Sequence, residues 1–120
     1  MSKSEDSVTE LRVGLVGAGQ SGVAYARACE KSESCRLTAV CDREPERAAG
    51  IPGTKPFRKI DQLLSSEEVD AVIVATSVSN RAEIALRALQ RGFSVLVEDP
   101  VSENAALAEE LASVVAKSRG

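Results

Sequence analysis

Apolar positions in this chain fall into five short runs, separated by stretches in which apolar residues recur every three or four positions. Leu11 to Val16 predicts the first strand. From Gln20 to about Lys31, Gly22, Val23, Ala26 and Cys29 lie on one helical face of small side chains. Arg36 to Cys41 predicts a second strand that ends at Asp42. A short helix follows, with Pro45 near its first turn, where a missing N–H costs nothing. Gly50 stops it, and Pro52-Gly53 marks a loop. Lys55 to Arg58 predicts a third strand, which Pro56 confines to a sheet edge. Asp61 to Ser65 predicts a brief helix carrying Leu63 and Leu64. Val69 to Ala75 is a continuous apolar run of the kind found in a parallel strand covered on both faces. Ser79 to Arg91 places Ile84, Ala85, Ala88 and Leu89 on one helical stripe, closed by Gly92 where positive φ is favoured. Ser94 to Val97 predicts the fifth strand. Glu103 to Lys117 predicts a last helix with Leu107, Ala108, Leu111, Val114 and Val115 on a single face.

Strand and helix therefore alternate five times. The fold class this predicts is α/β, a doubly wound parallel sheet in the order 3-2-1-4-5 with helices on both faces. At 120 residues the chain is expected to form one domain over residues 11–120. Residues 1–10 read as a flexible polar leader without the apolar centre of a signal peptide.

Composition narrows the function classes. Hydrophobic residues make up 43% of the chain, yet only Tyr25, Phe57 and Phe93 are aromatic, so the core must be built from Val, Leu, Ile and Ala. The net charge of −3 comes with no basic stripe, which argues against nucleic acid as a partner. No apolar run approaches the roughly 18 residues of a membrane span. Cys29, Cys35 and Cys41 form no CxxC pair and read as buried free thiols of a cytoplasmic protein. The absence of His excludes His-dependent triads and His-ligated zinc.

Candidate chemistry concentrates where the first strand meets the first helix. The spacing Gly17-x-Gly19-x-x-Gly22, with Ala18, Gln20 and Ser21 between, is a dinucleotide-binding fingerprint in its strand-then-helix setting. Gly17 permits a sharp turn, Gly19 lets the backbone approach a pyrophosphate, and Gly22 lets the helix sit close to the sheet. The helix N-terminus then faces the phosphates. Asp42 follows Gly22 by 20 residues at the end of the second strand. A carboxylate there accepts hydrogen bonds from the adenosine ribose and repels a 2′-phosphate, which favours NAD over NADP. The neighbouring Arg43 pulls the other way, since a guanidinium can stack on adenine or hold a 2′-phosphate. A competing reading is that Asp42 merely caps the next helix or terminates the strand. A methyltransferase would place an acid just before the glycines, where Leu15-Val16 stands. A flavin enzyme would need a far longer chain.

With these residues in place, the chain resembles the N-terminal domain of the Gfo/Idh/MocA family of oxidoreductases. The likeness runs through Arg12 to Gly19, Ala39 to Asp42 with Pro45 to Ala48, Ile60 to Leu64, Glu68 to Thr76, Ala85 to Gly92 and Val95 to Pro100. The resemblance implies an NAD(P)-dependent dehydrogenase of sugars and related alcohols, with a second domain that holds substrate. It also places Ala75, Thr76 and Ser77 at the cofactor, and Glu98 at the nicotinamide ribose. Two motifs depart from the family pattern. Glu-Lys-Pro reads Glu98-Asp99-Pro100, so an ammonium that would stabilise an alkoxide is replaced by a carboxylate. Thr-Pro-Asn-x-x-His reads Thr76-Ser77-Val78-Ser79-Asn80-Arg81. Asp99 and Arg81 read most simply as solvated charges, although Arg81 near a helix start opposes the dipole and calls for a compensating contact.

The expected function is an NAD-binding domain without dehydrogenase activity of its own, its substrate domain being absent from these 120 residues. No catalytic residue is assigned. With no sixth strand, Ser94 to Val97 would be a sheet edge, and self-association or a protein partner is expected there. Two alternatives stay open: a structural or regulatory module that keeps the fold without cofactor, and an oxidoreductase subunit completed by another chain.

Overall fold

A computed structural model describes residues 10–98 of the chain. Within them a parallel five-stranded sheet has the order β3-β2-β1-β4-β5, as the alternating pattern predicts. The strands are β1 (Leu11–Val16), β2 (Cys35–Cys41), β3 (Lys55–Phe57), β4 (Ala71–Val74) and β5 (Ser94–Val97). The helices are α1 (Gln20–Lys31), α2 (Pro45–Ala49), α3 (Ile60–Leu64) and α4 (Val78–Gln90). The expected leader, Asp99 and the last expected helix lie outside the described residues. No helix among the described residues is long and apolar enough to cross a membrane.

Period-two alternation in each strand divides the core into two layers. Val13 and Leu15 of β1, Val40 of β2 and Ile73 of β4 face α1 and α2, where Ala26, Cys29 and Ala48 receive them. Val16, Ala39, Cys41, Val72 and Val74 point the other way, onto Leu63 and Leu64 of α3 and Ala85 and Ala88 of α4. All four residues of β4 are buried, which is why its sequence shows no polar alternation. β4 is shorter than the apolar run that predicts it, because Val69 packs in the core from the preceding loop. β5 differs: Val95 and Val97 pack inward, while Leu96 is 53% exposed.

One irregularity in β1–β2 pairing has a clear cause. Val13 faces Leu37 and Gly14 faces Ala39, so Thr38 is an extra residue in β2. Its buried hydroxyl donates to the carbonyl of Glu68 at 2.6 Å, which ties the bulge to the loop leading into β4.

Hydrogen bonds fix the exit from β1 on both sides. The Gly17 amide donates to the Cys41 carbonyl, and the Ala75 amide donates to the Val16 carbonyl, each at 2.8 Å. The chain must turn within this narrow gap. Gly17 does so at φ +100°, and a Cβ there would lie 2.6 Å from the Ala75 carbonyl oxygen. Gly22, in the first turn of α1, rests directly on the Gly17 carbonyl, and a Cβ would occupy the same space as that oxygen.

Gly22→Ala should therefore force α1 off the turn and destabilise the domain by about 2–3 kcal/mol, in the range of overpacked cores. Chemical denaturation of the variant measures this, and a loss below about 0.5 kcal/mol would show that the helix is not seated on that carbonyl.

Candidate functional site

The carboxyl ends of β1, β2 and β4 meet at the glycine turn, the position where open parallel sheets bind ligands. Gly19 is the N-cap of α1, in extended backbone, with no side-chain cap and no acidic residue in the first turn. The first hydrogen bond of the helix runs from the Val23 amide to the Gly19 carbonyl at 2.9 Å. The N–H groups of Gln20, Ser21 and Gly22 thus have no acceptor within the helix. Gly19 differs from its two companions in what surrounds it. A Cβ there would meet only the Arg47 guanidinium, 3.9 Å away.

Asp42 binds this turn to the end of β2. Its Oδ2 accepts from the Ala18 amide and its Oδ1 from the Glu44 amide, each at 2.8 Å. The Glu44 bond is an Asx-type turn leading into α2, whose N-cap is Glu44 with no side-chain cap, so Asp42 shapes the approach to the helix without capping it. The Ala18 bond is the addition: the carboxylate also organises the glycine turn. An ionised carboxylate offers about four acceptor sites, so both oxygens keep lone pairs for other donors.

Gly17, Gly19, Asp42, Arg43, Ala75, Thr76 and Ser77 share the wall of a 570 Å³ cleft. Ala18, Gln20, Ser21, Gly22 and Glu98 do not line it. Several lining residues were not expected from the sequence: Arg47, Arg58, Lys59, Asn80, Ile84 and Arg87. Arg58 to Asp61 follow β3, and the order 3-2-1-4-5 by itself brings the end of β3 beside the end of β2. That was the available signal. Arg47 pairs with Glu44 at 3.8 Å, and Arg87 with Asp61 and Glu83 at 3.6 Å each. Asn80 contributes a buried Oδ1 that has no hydrogen-bond partner among the described residues.

Arg81 is placed differently from expectation. Arg81 is not a solvated charge. Its side chain is 14% exposed and pairs with Glu98, itself 21% exposed, at 3.3 Å. Its Nε also donates to the Thr76 carbonyl at 3.0 Å. This is the contact that offsets its position near the start of α4. The Tyr25 hydroxyl of α1 donates to the second oxygen of Glu98 at 3.4 Å. Glu98 thereby joins helices on opposite faces of the sheet, just past the end of β5. Burial, then the nearby Glu98 carboxylate, push the Tyr25 phenol above its ordinary value. Asp99, where the family pattern implies lysine, lies outside the described residues.

With this geometry in view, the comparisons with known proteins agree. The family described as "Oxidoreductase family, NAD-binding Rossmann fold" matches residues 11–120. The chain belongs to that family, the Gfo/Idh/MocA oxidoreductases. It is 36% identical over 95 residues to an uncharacterized oxidoreductase of Streptococcus pneumoniae, covering 77% of this chain and 25% of the relative. It is 32% identical over 97 residues to an inositol 2-dehydrogenase of Rhizobium meliloti, covering 79% and 29%. Among solved structures, a protein of gentamicin A biosynthesis in complex with NAD aligns with a TM-score of 0.85 and 28% identity, covering 91% of this chain and 32% of that one. A 3-ketoreductase from Actinomadura kijaniata in complex with TDP-benzene and NADP aligns with a TM-score of 0.81 and 31% identity, covering 90% and 35%. The chain thus spans 25% and 29% of these two curated relatives.

Tyr25 is the only tyrosine and there is no tryptophan, so phenolate absorbance reads this residue alone. Its midpoint should lie above the usual value of about 10. Glu98→Gln should lower it part of the way, since burial remains; an unchanged midpoint would contradict the contact. The folded chain holds the phenol proton more tightly than the unfolded chain. Tyr25's contribution to stability is therefore complete below about pH 10 and is lost as pH rises through the folded-state midpoint.

Proposed function

We propose that this domain binds NAD at its glycine turn, with the diphosphate against Gly19 and the α1 N-terminus and the adenosine in the cleft beside Asp42. The observation that carries this reading is Gly19. The fold itself requires Gly17 and Gly22, because a Cβ at either would meet backbone. It makes no such demand at Gly19, where the backbone is ordinary extended chain and a Cβ would make only an ordinary van der Waals contact with the Arg47 guanidinium. A glycine that the protein does not need is explained by a ligand that must touch its backbone.

Electrostatics supports the same placement. The start of α1 has no side-chain cap and no acidic residue in its first turn. Asp42 bonds the Ala18 amide ahead of it, which leaves the N–H groups of Gln20, Ser21 and Gly22 for an anion. Asp42 is already aimed by two backbone amides, and its remaining lone pairs suit the adjacent hydroxyls of a ribose. The same charge disfavours a 2′-phosphate. The cations Arg43, Arg58 and Lys59 on the cleft wall work against that preference, which makes NAD favoured over NADP by degree.

The bound dinucleotide would supply a hydride acceptor. The chain's part is to bind and orient it. In our reading, the proton transfer and positive charge that alcohol oxidation needs come from groups outside residues 10–98, and Asp99 does not provide the positive charge of the family's lysine. Dehydrogenase activity on a polyol is therefore not expected from these 120 residues alone.

Gly19→Ala tests the proposal, because it separates binding from folding. Denaturation should place the variant within about 0.5 kcal/mol of the parent. NADH fluorescence titration should show at least about tenfold weaker binding, equivalent to about 1.4 kcal/mol. Equal affinities would remove the pyrophosphate from Gly19. No saturable binding by the parent at millimolar NADH would favour a module that keeps the fold without cofactor. In a second titration, Asp42→Ala should weaken NAD by about tenfold or more, as for a charge-assisted hydrogen bond. It should weaken NADP less; equal losses would show that Asp42 does not discriminate.

A further inference from the structure

At the amino ends of the strands, away from the glycine turn, two of the three cysteines come together. Cys29 lies in the last turn of α1, and Cys35 is the first residue of β2. Three residues of tight turn connect them. Ser32 donates its amide to the Cys29 carbonyl at 3.1 Å, and the Ser34 amide donates to the Ser32 hydroxyl at 3.1 Å. The Leu11 amide then donates to the Ser34 carbonyl at 3.0 Å, which fastens the turn to β1.

This frame brings the two side chains to the same core layer. Cys29 belongs to the buried cluster beneath α1, and Cys35 packs against that cluster from the sheet. Burial raises the pKa of Cys29, and the two thiols lie near enough for Cys35 to raise it further. Both line a 510 Å³ groove between α1 and the loop after α2, and Cys35 is the partly exposed member. Solvent in the groove reaches Cys35 more readily than the buried Cys29. Cys41 is buried near the opposite end of β2, where it packs in the other core layer.

We propose that Cys29 and Cys35 form a dithiol modification site that closes to an intramolecular disulfide when a hydroperoxide enters the groove. The Cys35 sulfur attacks one peroxide oxygen and breaks the O–O bond, leaving a sulfenic acid and releasing an alcohol, or water from hydrogen peroxide. The Cys29 sulfur then forms the S–S bond, and the sulfenic hydroxyl leaves as water with the second thiol proton. Two thiols lose two electrons, and the peroxide gains both. Burial and the nearby Cys35 hold the Cys29 thiol up at about 11, so its thiolate is scarce at neutral pH. Their placement on one groove offsets that scarcity by making the second step intramolecular.

The sequence supplies an internal control. Cys29, Cys35 and Cys41 are evenly spaced, so chain proximity alone favours a 29–35 bond no more than a 35–41 bond. Only the fold distinguishes them. Trypsin separates all three, giving Ala28–Lys31, Ser32–Arg36 and Leu37–Arg43. The complete chain would be treated with hydrogen peroxide, both native and in guanidinium, then alkylated and digested. The native chain should lose about 2 Da, retain one alkylatable thiol at Cys41, and yield Ala28–Lys31 linked to Ser32–Arg36. The unfolded chain should give 29–35 and 35–41 links in similar amounts. In Cys29→Ser, Cys35 should stop at a sulfenic acid that a dimedone probe traps. Three alkylatable thiols after oxidation of the native chain would overturn the proposal. So would a native link to Cys41, or the same product distribution in both states.

Discussion

The seating of Gly22 on the Gly17 carbonyl determines the shape of the whole binding edge. Two backbone segments meet there without a side chain between them, and α1 can approach the sheet no closer. The contact fixes where the helix begins, and therefore where its free N–H groups point. It also holds the turn in the gap between the Cys41 carbonyl and the Ala75 amide, each bonded to β1 or the turn itself. Since every strand runs parallel, the loops after β2, β3 and β4 collect on the same edge. The cleft is thus a consequence of topology, and the glycine contact sets its floor.

Asp42 and Glu98 are both carboxylates of this edge, and the fold treats them differently. Asp42 is held by backbone amides from the turn and from the approach to α2, on the wall of the cleft. Glu98 is drawn between Arg81 and Tyr25 and does not line that wall. One supports a ribose-binding role with its geometry already set. The other acts in the described structure as a bridge between α1 and α4. In the proposed function, a Glu98 contact to the nicotinamide ribose would have to coexist with that bridge or replace part of it.

Much of the architecture was legible because buried parallel strands leave continuous apolar runs, and β1 and β5 begin and end as predicted. Boundaries shifted by one or two residues where packing and hydrogen bonding diverge, as at Val69, which is in the core but outside β4. The glycines and Asp42 were legible because their spacing reflects local geometry. Arg81 was misread as solvated because its partner lies beyond a whole helix and strand, and local spacing holds no record of such a contact. The same applies to Arg58 and Lys59, which join Asp42 on the cleft wall only after β3 docks beside β2. The thiol pair escaped attention because six-residue spacing carries no motif; the helix end and the strand start bring the two together.

The central claim is that this edge holds a dinucleotide at the glycine turn. Amide chemical-shift mapping of the isotope-labelled chain during NAD titration tests it most directly. Saturable shifts are predicted for Ala18 to Gly22 and Asp42 to Glu44, with little change around the Cys29–Cys35 groove. Shifts centred away from the turn, or none at millimolar NAD, would contradict it.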